Sequence, residues 1–126
     1  DIQKNRIEAA IEASKKYNCI TLLKGENTVI SNKTGTRVYI NSTGNSALSK
    51  AGSGDVLSGM ISGFLAQMIN NYENNDTILE KILKSAIVGV YIHAMAAEAV
   101  SVDLSPHSVL QEDIINSIGH QIKKLI

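Results

Sequence analysis

Residues 51 to 55 read Ala-Gly-Ser-Gly-Asp, and an apolar run begins directly after them. Gly52 and Gly54 let backbone N–H groups approach an oxyanion with no side chain in the way. Ser53 adds a hydroxyl, and Asp55 is a carboxylate able to take a proton from an attacking hydroxyl. A loop that runs into a helix leaves N–H groups without intrahelical partners, and their partial positive charge suits an anion. These are the parts of a phosphoryl-transfer site. The plainer reading is a turn shaped by the glycines, with Ser53 or Asp55 capping the helix. The pattern is not a P-loop, which needs Lys directly after the second Gly, nor a dinucleotide fingerprint, which needs a third Gly at fixed spacing.

A second polar corner lies upstream in LLKGENTVI, where an apolar run ends at Lys24 and Gly25 and restarts at Thr28. From such a corner Lys24 can reach a phosphate. Two corners of this kind, in this order, narrow the field.

The elements that must position these corners follow from periodicity. Residues 2–17 place Ile7, Ala10, Ile11 and Ser14 on one stripe with charges between, which predicts an amphipathic surface helix. CITLL, VISN and RVYIN, separated by KGENT and the turn-like KTGT, predict three strands. The segment from about 53 to 70 is apolar nearly all round and contains Gly59 and Gly63, so a buried helix in close contact with a neighbour is expected. After the loop NNYENND, the stretch beginning TILEKILK predicts a long Ala-rich helix, and SVLQEDIINSIGHQIKKLI a final one. A helix, three strands and three helices make an α/β or α+β layered domain. Two strongly apolar helices and an opening amphipathic one ask for more partners than three strands offer, so half of something larger is expected.

Composition bounds the partners. Twelve basic residues balance twelve acidic ones over 126 residues, of which 44% are hydrophobic. That gives no general footprint for nucleic acid or an anionic membrane, and any phosphate binding must be local. Cys19 is the only cysteine, which excludes an internal disulfide and a multi-cysteine metal site. No stretch reads as long and apolar enough to span a bilayer, and the opening DIQKNRIEAA has no signal-peptide character, so a cytoplasmic setting is expected. His93 lies in an apolar helix and reads as a packing residue, as do Tyr91 and Met95. His107 and His120 have no companion metal-ligand pattern.

The string LLKGENTVI, YINSTGN, AGSGDVLSGMISGFLAQ and GVYIHAMAAE, which runs through nearly the whole chain, resembles the ribokinase-like superfamily. Within it the chain is similar to the C-terminal part of the NAD(P)H-hydrate dehydratases. The resemblance implies a three-layer α/β/α domain whose N-terminal half is absent from residues 1–126. It implies an adenine nucleotide held by Lys24, Gly25, Glu26, Asn27 and Thr28, and by Asn45, Ser46, Ala47, Leu48, Ser49, Lys50, Ala51, Gly52, Ser53 and Gly54. Asp55 would contact the hydrated nicotinamide and serve as catalytic base. The loop departs from the usual family residues at Ser46, Ala47, Leu48 and Ala51, and Lys50 brings a charge where a Thr is usual.

The function so implied is cofactor repair. Hydrated NADH or NADPH is dehydrated to NADH or NADPH at the expense of ADP, or of ATP in some relatives, with Mg²⁺ expected beside the phosphates. The partners expected are therefore the nucleotide and the hydrate, with no nucleic acid and no membrane, and either a homo-oligomer or the missing N-terminal half covering the exposed apolar faces. Two other readings stand beside it: a ribokinase-like kinase for a sugar or vitamin precursor, and a non-catalytic nucleotide-binding module.

Overall fold

The computed structural model describes residues 5–126, so positions 2–4 of the first predicted helix lie outside the described residues. Helix α1 (Arg6–Tyr17) ends where Asn18 takes the left-handed conformation. Strands β1 (Thr21–Leu23), β2 (Thr28–Ser31) and β3 (Val38–Asn41) follow, then a single 3₁₀ turn over Ser46–Leu48. Helices α2 (Ser53–Asn70), α3 (Ile78–Asp103) and α4 (Gln111–Leu125) complete the order. This is the helix, three-strand, three-helix succession expected; β1 and β3 fall within their predicted runs, and β2 begins one residue earlier, at Thr28.

The sheet is antiparallel throughout in the order β1-β2-β3, with Leu22 opposite Ile30 and Val29 opposite Ile40. Its two faces serve different layers. The α1 stripe lies on one side, with Ala10 and Ser14 buried and the Ser14 hydroxyl donating to the Ser31 carbonyl at 3.4 Å. On the other face Ile30 joins Leu57 of α2 and Leu83, Ala86 and Val90 of α3 in one apolar cluster, flanked by Ile20, Leu22, Ile61 and Ile87. Removing a side chain such as Ile30 from water contributes roughly 1.5–3 kcal/mol. A second cluster lies further along α3, where Ala96 and Ala97 meet Ala47, Val109 and Ile114. The result is three layers, α1, sheet and the pair α2 and α3, with α4 packed on α3.

Three expectations are corrected here. Helix α2 is not buried: of its residues only Ser53 and Leu57 are, and a side chain at Gly59 or Gly63 would meet open space among the described residues. An apolar composition all round does not say which neighbour covers a face. The close helix contact instead falls on Gly89 of α3, where a Cβ would come within 2.6 Å of Ile61 Cγ1 and 3.5 Å of its Cα. Finally, α3 is long and apolar enough, by length and composition, to cross a membrane, contrary to the sequence reading. Half of its most apolar stretch is buried inside the fold, where β2, α2 and α4 cover it.

The helix ends are set locally. The Thr77 side chain accepts from the Glu80 N–H at 3.2 Å and starts α3, and the Asp113 carboxylate accepts from the Leu110 N–H at 2.8 Å at the start of α4.

Candidate functional site

The corner between β1 and β2 is fixed from both sides. The Arg6 guanidinium donates to the Leu23 and Lys24 carbonyls at 2.9 and 3.0 Å, and the Thr28 hydroxyl donates to the Gly25 carbonyl at 3.1 Å. Gly25 has φ +145°, open only to glycine at low cost, and a Cβ there would lie 2.8 Å from the Arg6 guanidinium. The Lys-Gly-x-x-Thr spacing is therefore a shape: the strand stops, turns under Arg6 and resumes.

The second loop leaves β3 and is held by α3. The Gly44 N–H donates to Glu98 Oε1 at 2.7 Å, and the Asn45 side chain accepts from the Ala47 N–H at 3.0 Å to start the 3₁₀ turn. Gly52 then caps α2 in the left-handed conformation, φ +85°, with its Cα hydrogens toward Gln111. Neither side chain offered as a cap is one. Helix α2 has no side-chain capping bond, the Ser53 hydroxyl is buried without a partner, and Asp55 stands exposed in the first turn.

The two loops meet across a cleft of about 470 Å³. Its walls include Lys24, Gly25, Glu26, Asn27 and Thr28 from the first loop, and Asn45, Ser46, Leu48, Ser49 and Ser53 from the second. Six of the residues expected from the sequence lie outside those walls. Ala47 is fully buried in the second apolar cluster. Ala51, Gly52 and Asp55 are exposed beyond the cleft, and Gly54 borders it through Lys24, whose Nζ is 3.0 Å from the position of a Cβ on Gly54. Lys50 donates from Nζ to the His107 and Val109 carbonyls at 2.8 and 2.6 Å, so its charge ties the loop to the α3–α4 connection.

The cleft also takes residues the sequence reading left out: Asn41, Ser42, Thr43 and Gly44 ahead of the loop, and Leu57, Val90, His93 and Ala94 on its helical floor. Asn41 to Gly44 could have been found from the turn-forming run Asn-Ser-Thr-Gly. His93 carried no such signal, because a histidine in an apolar helix usually packs. Burial, and then the charge of Lys24, push its pKa down to about 4, so the imidazole is neutral at pH 7.

Chemically the cleft suits an anion at one end. The Lys24 ammonium stands at the N-terminus of α2, where helix N–H groups lack intrahelical partners, while Leu57, Val90 and Ala94 give an apolar wall. Among the described residues no three His, Cys, Asp or Glu side chains form a group able to hold a metal ion.

The unit is thus a three-layer α/β/α domain with a cleft between two polar loops. A family model described as NAD(P)H-hydrate dehydratase matches residues 1–120, and the chain belongs to that family. It is similar to a bifunctional NAD(P)H-hydrate repair enzyme of Moorella thermoacetica, with 32% identity over 98% of this chain and 21% of the relative. It is similar also to an ADP-dependent (S)-NAD(P)H-hydrate dehydratase of Bacillus subtilis, 33% identical over 90% of this chain and 37% of the relative. Among solved structures it matches the ADP/ATP-dependent NAD(P)H-hydrate dehydratase of Bacillus subtilis co-crystallized with ATP and Mg²⁺ and soaked with CoA. The TM-score is 0.84 at 31% identity, covering 99% of this chain and 42% of the other. The chain thus spans between a fifth and about two fifths of the length of these proteins.

Proposed function

We propose that this stretch is the nucleotide-binding part of a larger ribokinase-like dehydratase domain, which uses ADP or ATP to return hydrated NADH or NADPH to the intact cofactor. The observation that carries the reading is the convergence of Lys24, the Lys-Gly-x-x-Thr corner and the loop from Asn45 to Ser53 on one cleft at the N-terminus of α2. The adenine nucleotide lies in that cleft with its phosphates toward Lys24. Relatives named for ADP or ATP dependence support the choice of nucleotide.

Asp55 stands beyond the cleft on the same helix end, exposed and without a capping bond, which leaves its carboxylate available to a second substrate. It takes the proton from the hydroxyl of the hydrate as that oxygen attacks the terminal phosphoryl group. Lys24 and the N–H groups of the first α2 turn steady the developing charge. The bond from the terminal phosphorus to the bridging oxygen breaks, releasing AMP from ADP or ADP from ATP; phosphate then leaves with the former hydroxyl oxygen, and the neighbouring ring carbon gives up a proton to water as the ring double bond is restored. Because the described residues offer no metal cage, Mg²⁺ would arrive on the phosphates and water, and none of these roles depends on it.

The remainder of the domain, or a second copy, covers apolar side chains such as Ile40 and Ile69, which are exposed. The test of the nucleotide reading is calorimetric titration of the full-length protein with ADP and ATP. Binding at micromolar to low millimolar ligand is expected, and no heat at millimolar ligand would exclude it. A kinase of the same superfamily would instead phosphorylate a sugar or vitamin precursor and leave the hydrate untouched.

A further inference from the structure

Helix α3 runs through both apolar clusters, contributing Leu83, Ala86 and Val90 to one and Ala96 and Ala97 to the other. His93 lies between these sets, and packing does not explain it. The side chain is only 3% exposed, it lines the cleft, and Nε2 is buried with no hydrogen-bond partner. A leucine there would continue the apolar pattern at no such cost, since a buried polar atom left unbonded is strongly unfavourable. On α2, which packs against α3, the Ser53 hydroxyl also lines the cleft and is in the same condition, 2% exposed and unpartnered. Two polar groups from facing helices are thus both buried, both unsatisfied and both in the walls of one cleft.

The surrounding charge decides what they await. Lys24 lies close enough for its positive charge to bear on the imidazole, which disfavours a second cation and favours a neutral ring that offers one N–H. A neutral donor beside an ammonium and a helix N-terminus matches an anionic oxygen and not a cation. We propose that His93 is an anion-binding residue of this cleft, its Nε2–H and the Ser53 hydroxyl donating hydrogen bonds to a phosphate of the bound nucleotide. The proposal rests on the nucleotide reading above and adds to it a residue that neither loop contains.

The test titrates the full-length protein with ADP and with adenosine by calorimetry, wild type beside His93→Leu and His93→Gln. Leucine fills the space without a donor, and glutamine returns an N–H to it. Loss of a hydrogen bond to a charged group predicts that His93→Leu weakens ADP about tenfold or more, leaves adenosine unchanged, and that His93→Gln recovers most of the loss. ADP affinity equal to wild type in His93→Leu, or equal losses for ADP and adenosine, overturns the role of His93 and leaves the nucleotide reading standing. Wild type that binds neither ligand overturns both. A measurement on wild type alone guards against a variant that fails to fold. In the imidazole ¹⁵N spectrum, ADP and not adenosine is expected to move the His93 Nε2 resonance, and a resonance unmoved at saturating ADP overturns the proposal.

Discussion

The Lys24 ammonium stands 3.0 Å from the point at which a side chain on Gly54 would begin. The glycine before Asp55 is therefore the floor under a cation at the N-terminus of α2, where the helix dipole and the ammonium charge would reinforce one another toward an anion. Lys50, only three residues before that helix in sequence, is engaged with the His107 and Val109 carbonyls instead. The two lysines should separate cleanly on mutation. Lys24→Met is expected to weaken ADP about tenfold or more with little change in stability, whereas Lys50→Met should lower stability by about 1–2 kcal/mol and affect ADP less. Calorimetry and urea unfolding of both variants check this, and the reverse ranking would contradict it.

Glu98 holds the other loop. Its Oε1 accepts from the Gly44 N–H at 2.7 Å, so a helix residue sets the height of a cleft wall to which it contributes no side chain. Glu98→Ala should lower stability by about 1 kcal/mol and weaken ADP several-fold, with Glu98→Gln intermediate because its amide oxygen still accepts. Unfolding midpoints and ADP titrations of the two variants decide between this and a surface carboxylate without effect.

A third expectation concerns pH. The folded-state pKa of His93 is pushed down to about 4 by burial and by Lys24, below its ordinary value of 6.5. Below pH 6.5 the unfolded chain takes a proton that the folded chain refuses, so the contribution is intact above 6.5 and lost as pH falls toward 4. The loss should reach about 2 kcal/mol by pH 4.5. Urea unfolding at pH 7.5 and 4.5 should therefore show His93→Gln losing less stability on acidification than wild type. Equal losses would mean that the imidazole titrates normally.

Much of this arrangement was legible in the residues. The α1 stripe through Ala10 and Ser14, the strand interruption at Lys24 to Thr28 and the loop that ends in α2 all depend on local periodicity and turn chemistry, which a short stretch carries by itself. What depends on partners was not legible. Gly59 and Gly63 suggested a close helix contact that Gly89 makes, because the spacing of glycines does not identify the opposing side chain, here Ile61. Lys50 was a free charge on paper, and only the path of the α3–α4 connection puts two carbonyls within its reach. His93 read as packing because its surroundings on α3 are apolar, while the cleft it faces is assembled from the β1–β2 loop, the loop after β3 and the start of α2, distant in sequence.

Asp55 is the proposed catalytic base, and the most direct measurement is the turnover of hydrated NADH by the full-length Asp55→Asn protein with ADP, followed by nicotinamide absorbance. Asparagine keeps the size of the side chain but cannot accept the proton. Since Asp55 makes no capping bond, stability should barely change and ADP should bind as tightly as to wild type or more so, with one negative charge removed beside the phosphates. Turnover is predicted to fall by about 10²-fold or more. Near-normal turnover in a folded, ADP-binding variant would contradict the catalytic role of Asp55 and with it the reading of Ala-Gly-Ser-Gly-Asp as a phosphoryl-transfer site.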